Sequence, residues 1–190
     1  MPFRVFVFRQ ALLYLNMRKS GVFSSALFLS IIIAGVYGIL HDQVTASLSP
    51  EYYTKFKFLQ FRINPDMPFR QGVAFVGFYA TWWMGAEIGL VLATLALIFP
   101  DHQSMKLALL KAFAWVLSAV VSFGLLGYGY GRSIAANPPA GWWIPGEVVH
   151  KADFVTVGAI HNAGYIGGLL GLLAAIVMLC VRRWRQRKLK

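Results

Sequence analysis

A few residues have side chains able to hold a metal or move a proton, and they sit where an apolar chain seldom places them. His41 and Asp42 end a stretch, Gly21 to Leu40, that carries no charge. Glu51 follows shortly after, and His161 lies 21 residues before Arg182 in the last apolar stretch. At about 1.5 Å of rise per helical residue, each imidazole stands about 30 Å from the basic end of its own stretch. Both therefore reach one level, where Asp42, Glu51, Asn162 and Tyr165 can converge with them. His161, Gly164, Tyr165 and Gly168 share one helical face. The small residues on that face leave room for a partner helix or a flat ligand.

Three readings of this group are open. His41, Asp42, Glu51 and His161 have the donor types of a zinc or iron site. A haem held between His41 and His161 is the second. The third is structural: His41-Asp42 ends a helix, where imidazolium suits the dipole, and His161-Asn162 hydrogen-bond across helices. The chain has no HExxH, no ExxH pair and no CxxCH. Cys180, its single cysteine, excludes an intramolecular disulfide and a thiolate cluster.

Glu87 is the one acid inside an apolar stretch, about 18 Å from that stretch's basic-side end. A charge at that depth costs about 2.5–3.5 kcal/mol on insertion scales. It is read either as a proton- or cation-handling group or as a carboxyl bonded to Thr81, Ser118, Ser122 or a tyrosine of another helix.

These residues must be positioned by membrane-spanning helices. The chain has 190 residues, 58% apolar and 13% charged, against about 25% charged in soluble domains. Four stretches, about 21–40, 72–99, 107–130 and 154–181, each reach the ~20 apolar residues of a span. Only helices satisfy their own backbone in lipid, and these stretches lack the alternation of barrel strands. The fold class read from sequence is an all-α integral membrane four-helix bundle, one domain over 1–190. Segments 41–71 and 131–153 form a cap on the outer face. Ser49-Pro50-Glu51 starts a short helix with Ser49 as N-cap, followed by an extended stretch on the membrane surface. Asp101 or Ser104 caps the third span. The first 17 residues read either as an interfacial helix or as an extension of the first span.

The net charge of +11 follows membrane orientation. Arg4, Arg9, Arg18, Lys19, Lys106, Lys111 and six basic residues after Val181 fall on one side, twelve in all. Six fall on the other, with Asp42, Glu51, Asp66, Glu147 and Asp153. The positive-inside rule then puts both termini in the cytoplasm and the chain in the inner membrane. Without a phosphate loop, zinc-finger spacing or a basic helix interleaved with aromatics, nucleic acid is excluded as a partner. The lipid bilayer is the expected partner, together with further copies or other membrane subunits. Gly85xxxGly89, Gly127xxxGly131, Gly164xxxGly168 and Gly167xxxGly171 have close-packing spacing, which makes spans two and four expected neighbours, or one of them an oligomer face. Trp82-Trp83 and Trp142-Trp143 read as headgroup anchors.

The segments HDQVTASLSPEYYTKFKFLQF, ATWWMGAEIG and VGAIHNAGYIGG together resemble a family of small bacterial inner-membrane proteins with four spans. The resemblance implies no activity. It points at His41, Asp42, Glu51, Lys55, His161, Asn162 and Tyr165 as residues of family-like motifs.

With many packing motifs and no complete catalytic constellation, the leading function is a non-enzymatic self-associating bundle or complex subunit. The alternatives are a metal or haem redox or enzymatic site on the outer face, and oligomeric cation or proton transport through Glu87. Residue types alone name no cofactor.

Overall fold

The structure, a computed structural model, describes the backbone of residues 2–188 and the side chains of residues 17–188. Arg4, Arg9 and Lys190, counted above for orientation, have side chains outside that range. In chain order the elements are α1 (Pro2–Leu48), α2 (Pro50–Tyr52), a π-helical turn (Tyr53–Lys57), α3 (Phe58–Gln60), α4 (Phe69–Ala96), α5 (His102–Ile134) and α6 (Lys151–Lys188). The fold is all-helical, and α1, α4, α5 and α6 are long and apolar enough to cross a membrane. They fit an integral membrane four-helix bundle.

The helices outrun most of the apolar stretches that predict them. α1 is one continuous helix from Pro2, which is the extension reading of the N-terminus. It also continues through His41 and Asp42 to Leu48, so the first eight residues assigned to the cap belong to the span helix. α4 is the exception and stops at Ala96, short of 99. There Lys19 Nζ donates to the carbonyl of Phe99, the kind of cation that suits a helix C-terminus. Asp101 opens α5, its Oδ1 accepting from the amides of Gln103 at 3.0 Å and Ser104 at 2.8 Å.

Segments 49–68 and 135–150 meet at one end of the bundle, here the capped end; 97–101 lies at the other, the terminal end. Ser49 caps α2, as its residue type predicts, accepting from the amide of Tyr52 at 3.3 Å. The extended stretch expected after Tyr52 is instead helical through Gln60. It closes in a Schellman turn, where the amide of Ile63 donates to Phe58 at 2.9 Å and that of Arg62 to Leu59 at 3.3 Å. Arg62 occupies the left-handed position at φ 51°. Phe58 and Ile63 lie together against Gly72, the apolar contact that goes with this cap.

Packing divides the bundle into two tight pairs. α1 lies on α4, and a Cβ at Gly77 would fall 2.3 Å from the Gly38 carbonyl oxygen. α5 lies on α6 with Gly127, Gly131, Gly167 and Gly171 pressed against Ala159, Ala163, Thr156, Phe123 or Ala119. Spans two and four do touch, but the tight contacts of their glycines are made with α1 and α5 instead. Gly85 and Gly89 receive Ser30 and Ala34 of α1, whereas nothing lies within 4 Å of a Cβ built at Gly164. Buried side chains join the two pairs at both ends. Leu92, Ala96, Met105, Leu109 and Leu179 form the core at the terminal end, and Tyr52, Tyr53, Val76, Phe154 and Val157 form it at the capped end.

Candidate metal centre at the capped end

The last turns of α1 and the third turn of α6 come together beneath the short cap helices. Asp42 Oδ1 lies 3.1 Å from Nδ1 of His41 and 3.2 Å from Nε2 of His161. Each of the three residues offers a ligand atom, all within 4.8 Å of one another. Asp42 and His161 are buried, at 4% and 8% exposure. Burial of this kind makes an uncompensated carboxylate expensive.

Proton positions follow from the partners. His161 Nδ1 lies 2.9 Å from the carbonyl oxygen of Val157, one helical turn back. A carbonyl only accepts, so Nδ1 carries a hydrogen and donates it. In neutral His161 the Nε2 atom then presents a lone pair, and that lone pair faces the Asp42 carboxylate. Two lone pairs at 3.2 Å repel unless a proton or a metal cation lies between them. The bond from the far imidazole nitrogen to a backbone carbonyl is also the usual outer-shell arrangement of a metal-binding histidine. His41 Nε2 is buried and has no hydrogen-bond partner among the described residues.

The cap closes this group off from above. Tyr52 stacks on His161 at 5.1 Å and 26°. Tyr53 is fully buried, and its hydroxyl pairs with Thr45 Oγ1 at 2.7 Å. Burial pushes both phenols well up from their ordinary range, so they stay protonated. Tyr53 and Lys57, four residues apart at the two ends of the π-helical turn, both lie on its buried side. Lys57 Nζ lies 4.9 Å from the Phe56 ring centre and donates to Gln60 Oε1 at 3.1 Å. Burial holds its amine below the usual lysine range, partly offset by the Asp42 charge.

Below the group an apolar cleft of about 120 Å³ runs between the two helix pairs. Tyr37, Thr81, Met84, Phe113, Gly164 and Tyr165 are among its walls. His41, Asp42 and His161 form its polar end.

Of the residues singled out from sequence, His41, Asp42 and His161 meet and Tyr165 stands at the cleft. The others do not join them. Glu51 is turned away, and its two carboxylate oxygens accept from the amides of Val149 at 2.9 Å and His150 at 2.7 Å. It therefore ties the cap to the start of α6 and is not a ligand. Lys55 pairs with Glu147 at 3.3 Å. Asn162 is exposed on α6 and makes no bond to another described helix, because the turn that buries His161 points its neighbour outward.

Glu87 is likewise exposed and has no partner among the described residues. Thr81, proposed to bond it, donates to the Ala34 carbonyl oxygen at 2.7 Å. Glu87 faces away from the chain because Gly85 and Gly89 occupy the side of α4 that meets α1. The haem reading fails on space. The His41 and His161 rings touch edge to face at 4.9 Å, whereas axial ligands about 2 Å from an iron on opposite faces of a macrocycle hold their ring centres more than about 6 Å apart.

Sequence reading missed Tyr37, Thr45, Tyr52, Tyr53 and Lys57. YYTKFKF does carry the aromatic density of a roof, but a single π turn has no residue pattern that announces it.

No family model, curated protein or solved structure matches the chain.

Proposed function

We propose that this integral membrane protein binds a divalent transition metal, zinc or iron, through His41, Asp42 and His161. The carrying observation is the contact between His161 Nε2 and Asp42 Oδ1, which needs a proton or a cation between a fixed lone pair and a buried carboxylate; His41, a third donor within reach, favours the cation. Two imidazoles and a carboxylate suit either metal, and three protein ligands leave a coordination position open. That open position belongs to catalytic rather than structural sites. The cleft beneath the site supports a small substrate that arrives from the apolar side. When bound, the metal supplies Lewis acidity at this position. The chain's own residues hold its ligands, and the tyrosine roof keeps bulk water out.

The test is elemental analysis of protein purified without added chelator. One metal per chain is expected, with no Soret absorption. His161→Ala and Asp42→Asn lower the metal content at least tenfold, whereas Glu51→Gln retains it. A folded wild-type chain that takes up neither zinc nor iron overturns the proposal and leaves a shared proton between Asp42 and His161.

The orientation belongs to the same proposal: inner membrane, both termini cytoplasmic, the capped end outside. The unequal distribution of Lys and Arg supports it. A reporter fused after Lys190 gives a cytoplasmic signal if it is right and a periplasmic one if it is wrong.

A second reading, self-association, is supported by Glu87, which stands exposed at mid-span where lipid solvates it poorly. Energy transfer between labelled copies in liposomes falls for Glu87→Leu if another copy covers this face. Unchanged transfer removes the reading.

A further inference from the structure

A second concavity lies at the terminal end, between α1 and α5. Its volume is about 410 Å³, against about 120 Å³ for the cleft under the histidines. Only the larger falls within the roughly 300–1,000 Å³ of pockets that take whole organic ligands.

Its rim and its walls differ in chemistry. Arg18 of α1 and His102 and Lys106 of α5 form the rim, and none of the described residues that line it is an acid. Val22, Leu29, Leu110 and Phe113 form walls that descend toward the middle of the spans. Among the described residues nothing lies within 4 Å of a Cβ built at Gly21. Asp101 is the nearest acid to His102 and Lys106 in sequence; its carboxylate accepts from Gln103 and Ser104 of its own helix and also interacts with His102 of the rim. His102 Nδ1 is buried and has no hydrogen-bond partner among the described residues. The rim also stands at headgroup depth: Lys19, next to Arg18, reaches the carbonyl of Phe99 where the apolar part of α4 has ended.

We infer that this crevice binds an anionic phospholipid. Its phosphate sits among Arg18, His102 and Lys106, and an acyl chain lies along Val22, Leu29, Leu110 and Phe113. A basic rim above an apolar groove between spans is the arrangement that recognises an acidic lipid head with its tail attached. The basic rim lies at the opposite end of the bundle from His41, Asp42 and His161, although Phe113 borders both concavities.

The test uses the full chain, delipidated in a neutral detergent and followed by native mass spectrometry. It is titrated separately with phosphatidylglycerol, phosphatidylcholine and inorganic phosphate. Phosphatidylglycerol is expected to bind saturably, at least about tenfold tighter than phosphatidylcholine, with Arg18→Gln and Lys106→Gln each weakening it roughly fivefold. Lys111→Gln, on α5 but outside the crevice, leaves it unchanged. Ser25→Trp fills the groove, keeps every charge and abolishes binding. Far-ultraviolet circular dichroism confirms that each variant is folded.

Equal affinity for the two lipids overturns the inference. So does an equal loss with Lys111→Gln, which means diffuse charge, or full binding by Ser25→Trp. Inorganic phosphate that displaces phosphatidylglycerol at matched concentration shows an anion site rather than a lipid site, and also overturns it.

Discussion

At the scale of single residues, Glu51 and Lys57 have opposite consequences for pH. The amides of Val149 and His150 hold the Glu51 carboxyl below its ordinary 4.5. A group depressed in the folded state contributes stability that is complete above its unfolded value and is lost as pH falls through the folded one. Wild type should therefore lose more stability than Glu51→Gln when pH drops below about 4.5, and parallel acid melts of the two proteins check this. Lys57 is also depressed, but as a base, from 10.5. Between its folded and unfolded values the unfolded chain binds the extra proton, so stability rises with pH up to about 10.5. Lys57→Met removes that rise in chemical denaturation followed between neutral pH and pH 10. A rise that persists in the variant shows that some other group causes it.

At the scale of elements, close backbone approach decides what a substitution costs. A side chain at Gly77 has to displace the Gly38 backbone of a packed helix, and overpacking of this kind costs about 1–3 kcal/mol. Gly77→Leu is therefore expected to lower the unfolding free energy by at least that amount. Gly129→Leu, at a site where nothing lies within 4 Å, changes it little, and unfolding of both variants in mixed micelles makes the comparison. Arg62 offers the reverse case. It fills the left-handed position of a Schellman turn, which costs a side chain about 1–2 kcal/mol more than glycine. Arg62→Gly should raise stability by about 1 kcal/mol, after the added freedom of the unfolded chain is subtracted. Lower stability for that variant means that the Arg62 side chain contributes more than its backbone costs.

For the whole molecule, two tight pairs joined more loosely make a scaffold with space between them. Glycine faces bring α1 onto α4 and α5 onto α6, and a cleft remains between the pairs beneath the cap. The histidine and aspartate group sits where that space meets the cap, so the same division that leaves a cleft also gives the site an apolar approach. Glu87 stays outside both pairs. With no partner to lose, Glu87→Leu is expected to leave the unfolding free energy of the single chain unchanged or raised, measured in micelles at a dilution that keeps copies apart. A loss of about 1–2 kcal/mol there, the size of an interhelical hydrogen bond in membranes, would show that Glu87 bonds within the chain after all.

Much of this was legible without coordinates, and the division follows from how far each interaction reaches. Four helices are demanded by four apolar stretches, since backbone groups in lipid must pair within their own segment. Ser49 and Asp101 reveal their caps because a cap bond spans only two or three residues. The common level of His41 and His161 comes from counting rise along each helix. Helix pairing lay beyond reach, because GxxxG occurs on three of the spans and spacing does not say which backbone fills which groove. The direction of Glu51 depends on amides almost a hundred positions away. The roof over His161 depends on how the helical segment 50–60 packs against α6, which lays Tyr52 on the imidazole. Local periodicity and length determined the elements and their depth. Contacts between distant segments, set by which small residues meet and which way each turn points, decided the site.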